Sequence, residues 1–160
     1  MIIVTGAAGS IGSNLIRELT SKGFPVIAVD NIENGAKLKN IFSYPLAFFY
    51  DKNQFLEKIR NSKIDYKVDA LIHLGASSST TVWNGKYLLE NNYQYSIELL
   101  NWCSTNDIQF IYASSASVYG LGEDGFNSCN SVINPINPYA YFKGLFDYYV
   151  KDILSKPNSF

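Results

Sequence analysis

The run Gly6-Ala7-Ala8-Gly9-Ser10-Ile11-Gly12 constrains what this chain can fold into more than any other stretch. It follows a short β-branched segment, Ile2-Ile3-Val4-Thr5, and leads into Ile11, Leu15, Ile16 and Leu19, which recur at helical spacing. Glycines at these three places permit a tight turn, close approach of a pyrophosphate to the backbone, and close packing of the helix on the strand. The helix that opens there presents unpaired N–H groups and the positive end of its dipole to an anion. The next strand, Val26-Ile27-Ala28-Val29-Asp30, ends in an acidic residue. A carboxylate roughly 20 residues beyond the glycines can accept both ribose hydroxyls of an adenosine. This order of strand, glycine turn, helix, strand and Asp predicts a dinucleotide-binding βαβ unit. Gly23 is placed to close the first helix in a left-handed conformation.

The alternation continues. Leu46-Ala47-Phe48-Phe49-Tyr50, the stretch from Val68 to Leu74, and Gln109-Phe110-Ile111-Tyr112-Ala113 read as the third, fourth and fifth strands. Asp51-x-x-Gln54 resembles a capping box opening a helix that buries Phe55, Leu56 and Ile59. A long helix is expected from Trp83 to Thr105, with Leu88, Tyr95, Leu99 and Cys103 along one side, and another from Tyr139 to Leu154. The polar stretch from Asn31 to Asn40 reads as a loop, and Lys156 to Phe160 as a turn leading to a further strand. The fold class expected is α/β: a Rossmann-like parallel sheet with helices on both faces, truncated after about five strands. Residues 1–160 would form one incomplete NAD(P)-binding domain.

A chain of 160 residues has room for one domain and little else. Hydrophobic residues at 47% against 17% charged supply a core and exclude a wholly disordered chain. The 13 basic and 14 acidic residues leave a net charge of -1, which excludes a strongly basic nucleic-acid binder but not a binder of small anions. No stretch approaches the ~18 apolar residues of a membrane span, and the opening Met1-Ile2-Ile3 has no signal-peptide pattern. A cytoplasmic protein with no membrane partner is the expectation. Cys103 and Cys129 are too few and too far apart for a zinc site or a disulfide framework, and no metal is expected. His73 reads as a hydrogen-bonded structural histidine, and Asp51 and Glu90 as helix caps or solvated groups.

Tyr139-Ala-Tyr-Phe-Lys143 places a phenol and an ammonium on one helix face. A cation beside a phenolate favours the charged form. Such a tyrosine can exchange a proton with a substrate hydroxyl while hydride moves to or from a nicotinamide. Tyr141 has no such partner, since position 145 is Leu. Ser114 and Ser115 follow the fifth strand at the edge where ligands bind in open α/β sheets. On the cofactor, Asp30 favours NAD, whereas Asn31, Lys37 and Lys39 can meet a 2′-phosphate; the residues alone leave the choice open.

The glycine run, Ser115-Ala-Ser-Val-Tyr-Gly120 and Tyr139-x-x-x-Lys143 resemble the extended short-chain dehydrogenases/reductases that modify nucleotide sugars. Four further segments resemble the ADP-L-glycero-D-manno-heptose 6-epimerases within that family. They are Gly75-Ala-Ser-Ser-Ser-Thr-Thr-Val-Trp-Asn-Gly-Lys-Tyr87, Glu90-Asn-Asn-Tyr-Gln-Tyr95, Asp30-Asn31 and Phe110-Ile-Tyr-Ala-Ser-Ser115. The likeness runs over essentially the whole chain. It implies a nucleotide-sugar isomerase that inverts C6″ of ADP-D-glycero-D-manno-heptose by transient oxidation and re-reduction, for the heptose of the lipopolysaccharide inner core.

The roles the resemblance implies are specific to residues. Tyr139 would be the acid/base, Lys143 would support it and touch the nicotinamide ribose, and Ser115 would orient the substrate. Gly6, Gly9, Ser10, Ile11, Gly12, Asp30, Asn31, Lys37 and Lys52 would hold the dinucleotide, with Leu74, Gly75, Ala76, Ser77, Ser78 and Asn91 along its middle and nicotinamide side. Ser78, Ser79, Thr80 and Thr81 would lie near the sugar. The family implies NADP, with NAD as the alternative, and a homo-oligomer. It also places a sugar-binding domain and a second catalytic lysine beyond residue 160, so this chain alone is expected to show no turnover. Two readings stand beside it: an inactive truncated dinucleotide-binding fragment, and another nucleotide-sugar epimerase or dehydratase.

Overall fold

The computed structural model describes residues 1–127 and 132–155; Cys129 and the turn read at Lys156 to Phe160 lie outside the described residues. The chain divides into two compact units. One comprises Met1–Gly75 and Leu99–Tyr112; the other comprises Ala76–Glu98 and the described residues from Ala113 onward.

The first unit holds the sheet. Its strands are β1 (Ile2–Thr5), β2 (Val26–Asp30), β3 (Phe48–Asp51), β4 (Ala70–His73) and β5 (Gln109–Tyr112). They lie in the order β3-β2-β1-β4-β5, and every neighbouring pair is parallel. This is the five-stranded Rossmann-like sheet expected from the sequence. The register sets Thr5 beside Val29 and His73, Asp30 beside Asp51, and His73 beside Tyr112. The carboxyl ends of all five strands are therefore level. From β1 the chain crosses to β2 on one side, and β4 joins on the other, so the topological switch point lies between β1 and β4.

Period-2 alternation sends β1 and β2 side chains to both faces, and both faces are buried. Val4 and Ala28 pack with Ile16 of helix α1 (Ser10–Ser21), while Ile3 and Ile27 are fully buried on the opposite side. Helix α2 (Lys52–Arg60) packs on β2 and β3 and buries Phe55, Leu56 and Ile59 as expected. Phe55 meets Trp102 edge to face at 6.0 Å. The stretch from Asn31 to Asn40, read as a loop, instead contains a 3₁₀ turn at Gly35–Asn40. Burial explains the difference: the turn folds Leu38 and, just beyond it, Ile41 onto the Val4–Ile16 core. Gly23 closes α1 at φ +79°, in the left-handed conformation anticipated for it.

In the second unit the helix expected from Trp83 to Thr105 is interrupted. It comprises α3 (Gly85–Leu88), a π-helical segment at Leu89–Gln94, and α4 (Tyr95–Thr105), whose residues from Leu99 belong to the first unit. Trp83 lies before it, 74% exposed, because Asn84 caps α3 by accepting the Tyr87 N–H. Just beyond the distorted segment the Ser96 hydroxyl donates to the Asn92 carbonyl at 2.8 Å. Leu88, Tyr95, Leu99 and Cys103 are all buried, as their spacing predicted. Burial pushes the Cys103 thiol up to about 12, so it behaves as an apolar core residue.

Helix α5 (Pro138–Ser155) packs on α3, on the π-helical segment and on a 3₁₀ turn at Ala116–Tyr119. Asn137 caps it by accepting the Ala140 N–H at 2.8 Å, and Pro138 occupies the first helical position, where a missing N–H has no cost. Among the described residues no helix is long and apolar enough to cross a membrane.

The Asp51 cap gives a direct stability expectation. Its carboxylate accepts the Asn53 N–H at 2.8 Å. Asp51→Ala should cost roughly 1 kcal/mol in urea unfolding. An unchanged midpoint would mean the cap contributes nothing.

Candidate functional site

Gly6 leaves β1 at φ +67°, and Gly75 follows β4 across the switch point. The two glycines meet backbone to backbone. A Cβ on Gly6 would stand 2.7 Å from Gly75 N, and a Cβ on Gly75 would stand 2.9 Å from Gly6 N. Thr5 supports the crossing: its hydroxyl accepts the Gly75 N–H at 3.1 Å and lies 2.7 Å from His73 Nδ1. His73 is 1% exposed, and this bond is the structural role the sequence suggested for it.

Beyond Gly6 the chain turns tightly, with Gly9 N–H donating to Gly6 O at 3.0 Å, and enters α1. Gly12 lies against the turn, where a Cβ would stand 2.1 Å from Gly6 O. No side chain caps α1, and its first turn has no acidic residue. The N–H groups of the first turn are thus left for an anion, with Ser10 and Ile11 exposed beside them. This geometry fits a pyrophosphate.

Asp30 departs from the picture of a free ribose acceptor. It is 6% exposed, and its Oδ2 accepts Ala8 N–H at 2.7 Å. Its Oδ1 accepts Asn31 N–H at 2.7 Å and the Lys37 ammonium. The carboxylate ties the glycine turn to the segment after β2, and Asn40 adds a bond from its side chain to Ala8 O at 2.9 Å. Lys52 opens α2 one residue beyond Asp51, the partner of Asp30 in the sheet register. Leu74, half-buried, joins the core cluster beneath the glycine turn.

The remaining expected residues belong to the second unit. Tyr139 stands in the first turn of α5, half-buried. Lys143, one turn on, is 4% exposed and donates from Nζ to the Ala113 carbonyl at 2.8 Å. Burial pulls the lysine below its ordinary range, and the Asp147 carboxylate opposes that pull. Ser115 caps the 3₁₀ turn at Ala116–Tyr119, and its hydroxyl pairs with that of Ser117 at 2.7 Å. Ser114, beside it at the strand edge, donates its hydroxyl to Asp147.

Ala76 and Ser77 are half-buried, whereas Ser78, Ser79, Thr80 and Thr81 are exposed; Ser79 and Thr81 pair through their hydroxyls at 2.8 Å. Asn91 donates from its side chain to Tyr87 O at 2.7 Å. Its neighbour Asn92 anchors the segment. Asn92 is 1% exposed, accepts the Ser77 N–H at 2.8 Å and donates to Ser77 O at 2.9 Å. Sequence reasoning missed Asn92, although its place four residues after Leu88 put an amide on the apolar side of the helix. It also missed Asp147, four residues after Lys143. Among the described residues no cluster of His, Cys, Asp or Glu is suited to a metal ion.

Comparison with known proteins agrees with this geometry. A family model described as the NAD dependent epimerase/dehydratase family matches residues 2–159. An ADP-L-glycero-D-manno-heptose-6-epimerase from Helicobacter pylori is similar at 30% identity and a TM-score of 0.79, over 94% of this chain and 50% of that one. A UDP-glucose 4-epimerase from Thermotoga maritima, solved with UDP-glucose, is similar at 27% identity and a TM-score of 0.81, over 94% and 50%. A UDP-glucose 4-epimerase from Thermus thermophilus, solved with NAD, is similar at 25% identity and a TM-score of 0.78, again over 94% and 50%. The chain spans about half the length of these solved structures.

Proposed function

The chain belongs to the NAD dependent epimerase/dehydratase family, and from that premise we propose that it is the dinucleotide-binding, proton-transferring portion of a nucleotide-sugar epimerase. The substrate proposed is ADP-D-glycero-D-manno-heptose and the cofactor NADP. The observation that carries the reading is Lys143, a buried ammonium on α5 one turn from Tyr139. A buried cation is costly, and a structural helix gains nothing from it.

Gly6, Gly9 and Gly12 with the first turn of α1 would hold the cofactor pyrophosphate, and Asp30, Asn31 and Lys37 the adenosine ribose. Lys52, Leu74 to Ser78 and Asn91 would complete its contacts. When bound, the nicotinamide supplies a hydride acceptor that serves as the donor on the return. Tyr139 takes the proton from the sugar hydroxyl as that carbon is oxidised, and gives it back when the carbon is reduced. Lys143 stabilises the phenolate between the two events. The Ser115 hydroxyl holds the reacting oxygen, and Ser78 to Thr81 contact the sugar. The proton and hydride each leave and return, so no cofactor is consumed. The heptose reading rests on the resemblance of the Ser78-Ser79-Thr80-Thr81 segment to the heptose epimerases.

The test is to join the chain to a sugar-binding domain of the kind the family resemblance implies, supply each nucleotide sugar with cofactor, and follow epimer formation by chromatography. Epimerised ADP-heptose with no net accumulation of reduced cofactor is expected. Conversion of UDP-glucose instead would move the chain to the 4-epimerase reading. Lys37 provides a separate check on the cofactor. Lys37→Ala removes the cation proposed for the 2′-phosphate and leaves Asp30 freer to accept ribose hydroxyls. NADP affinity measured by calorimetry should fall by roughly 1 kcal/mol or more while NAD affinity holds or rises. Equal weakening of both would refute the NADP assignment.

A further inference from the structure

Tyr139, Lys143 and Asp147 succeed one another at four-residue spacing along α5, which places all three on one side of the helix. The proposed chemistry uses the first two and leaves Asp147 idle. Yet Asp147 accepts the hydroxyl of Ser114, in the segment that carries Ser115 and the Ala113 carbonyl on which Lys143 rests.

We propose that Asp147 is a positioning residue whose carboxylate supplies the counter-charge for the buried Lys143 ammonium and, through Ser114, fastens the Ala113–Ser115 segment to α5. A backbone carbonyl satisfies one N–H of an ammonium but carries no net charge, so the hydrogen bond to Ala113 cannot alone offset desolvation. A carboxylate one helical turn away can. The elements packed on α5 bring other titratable groups: Lys86 and Tyr87 on α3, Glu90 and Tyr93 on the π-helical segment, and Tyr119 on the 3₁₀ turn. Alongside Asp147, α5 itself carries Tyr139, Tyr141, Tyr148, Tyr149, Lys151 and Asp152. Of all these, Asp147 is the group whose field acts on Lys143, raising its proton affinity against burial. The tether and the counter-charge use one side chain, so the cation and the serine segment are set together.

The inference deepens the proposed function and rests on it for the catalytic consequence, but its test is read without turnover. Lysine labelled with ¹³C at Cε reports the titration of Lys143, assigned by its loss in Lys143→Arg. Asp147→Asn keeps the volume and removes the charge; the Lys143 midpoint should fall by about one pH unit or more, a tenfold loss of proton affinity. Asp147→Glu should restore the midpoint to within about 0.3 unit of the unaltered chain. A midpoint unchanged in Asp147→Asn, or lowered equally in Asp147→Glu, would overturn the counter-charge role. Should Asp147→Asn fail to fold, Asp147→Ser carries the same expectation. Ser114→Ala keeps the charge and removes the tether, so the Lys143 midpoint should hold while amide exchange at Ser115 to Ser117 quickens several-fold. Unaltered exchange there would overturn the tether. In an active preparation the alkaline fall of activity should begin at lower pH in Asp147→Asn, because the ammonium is lost earlier as pH rises. Intact titrations in a form joined to a sugar-binding domain that never turns over a nucleotide sugar would instead count against the proposed function.

Discussion

Gly12→Ala is expected to abolish dinucleotide binding. The added methyl would stand 2.1 Å from the Gly6 carbonyl oxygen, a contact that backbone alone creates and no rotamer relieves. Either α1 withdraws from the strand end or the Gly6 turn opens, and both displace the N–H groups proposed to hold the pyrophosphate. A shift of ~1 Å in such a constellation is enough to cost about 100-fold, so NADP affinity by calorimetry should fall at least that far. The sheet does not depend on this contact, and the far-ultraviolet circular dichroism should persist. Binding within tenfold of the unaltered chain would mean the phosphates lie elsewhere.

In a form joined to a sugar-binding domain, Tyr139→Phe should remove turnover and spare the cofactor. The change deletes one hydroxyl from a half-buried ring and leaves Asn137, Pro138 and the α5 cap untouched. General acid–base groups contribute roughly 10²–10⁴-fold, and kcat for sugar epimerisation should drop by that much. Cofactor affinity should stay within about threefold, since the phenol is proposed to serve the sugar oxygen and not the phosphates. Retention of most of kcat would assign the proton to another group. The two variants divide the proposed function: one loses binding and the other loses chemistry while binding persists.

Much of the fold was legible because each signal was local. Ile2 to Thr5, the glycine run and the Leu15–Leu19 spacing lie within 20 residues, and they fix β1, the turn and α1 together. Asp51 was readable as a cap for the same reason. What was not legible depends on contacts distant in sequence. Nothing near Gly75 announces that its N–H and Cα lie against Gly6, because that meeting needs β1 and β4 to be neighbours. Asp30 read as a vacant acceptor because Lys37 stood in a stretch taken for a loop; the 3₁₀ turn brings that lysine onto the carboxylate. The structural role of Asn92 was not legible either. Asn92 is buried and bonded to both sides of Ser77. Spacing proposed Tyr139 and Lys143 and resemblance proposed Ser115, but the hold of Ala113 on Lys143 and of Asp147 on Ser114 required the folded segment.

The meeting of Gly6 and Gly75 restricts how sequences of this kind can drift. A side chain that clashes with another side chain can be rescued by shrinking the partner. Here each added Cβ would strike main-chain atoms that every amino acid possesses, so neither position has a compensating substitution at the other. The restriction comes from strand order and holds whether or not a ligand is ever bound. A descendant that had lost its chemistry, with Tyr139 and Lys143 replaced, would keep both glycines as long as it kept the sheet. Persistence of Gly75 among relatives therefore reports architecture, and retained activity has to be judged from α5.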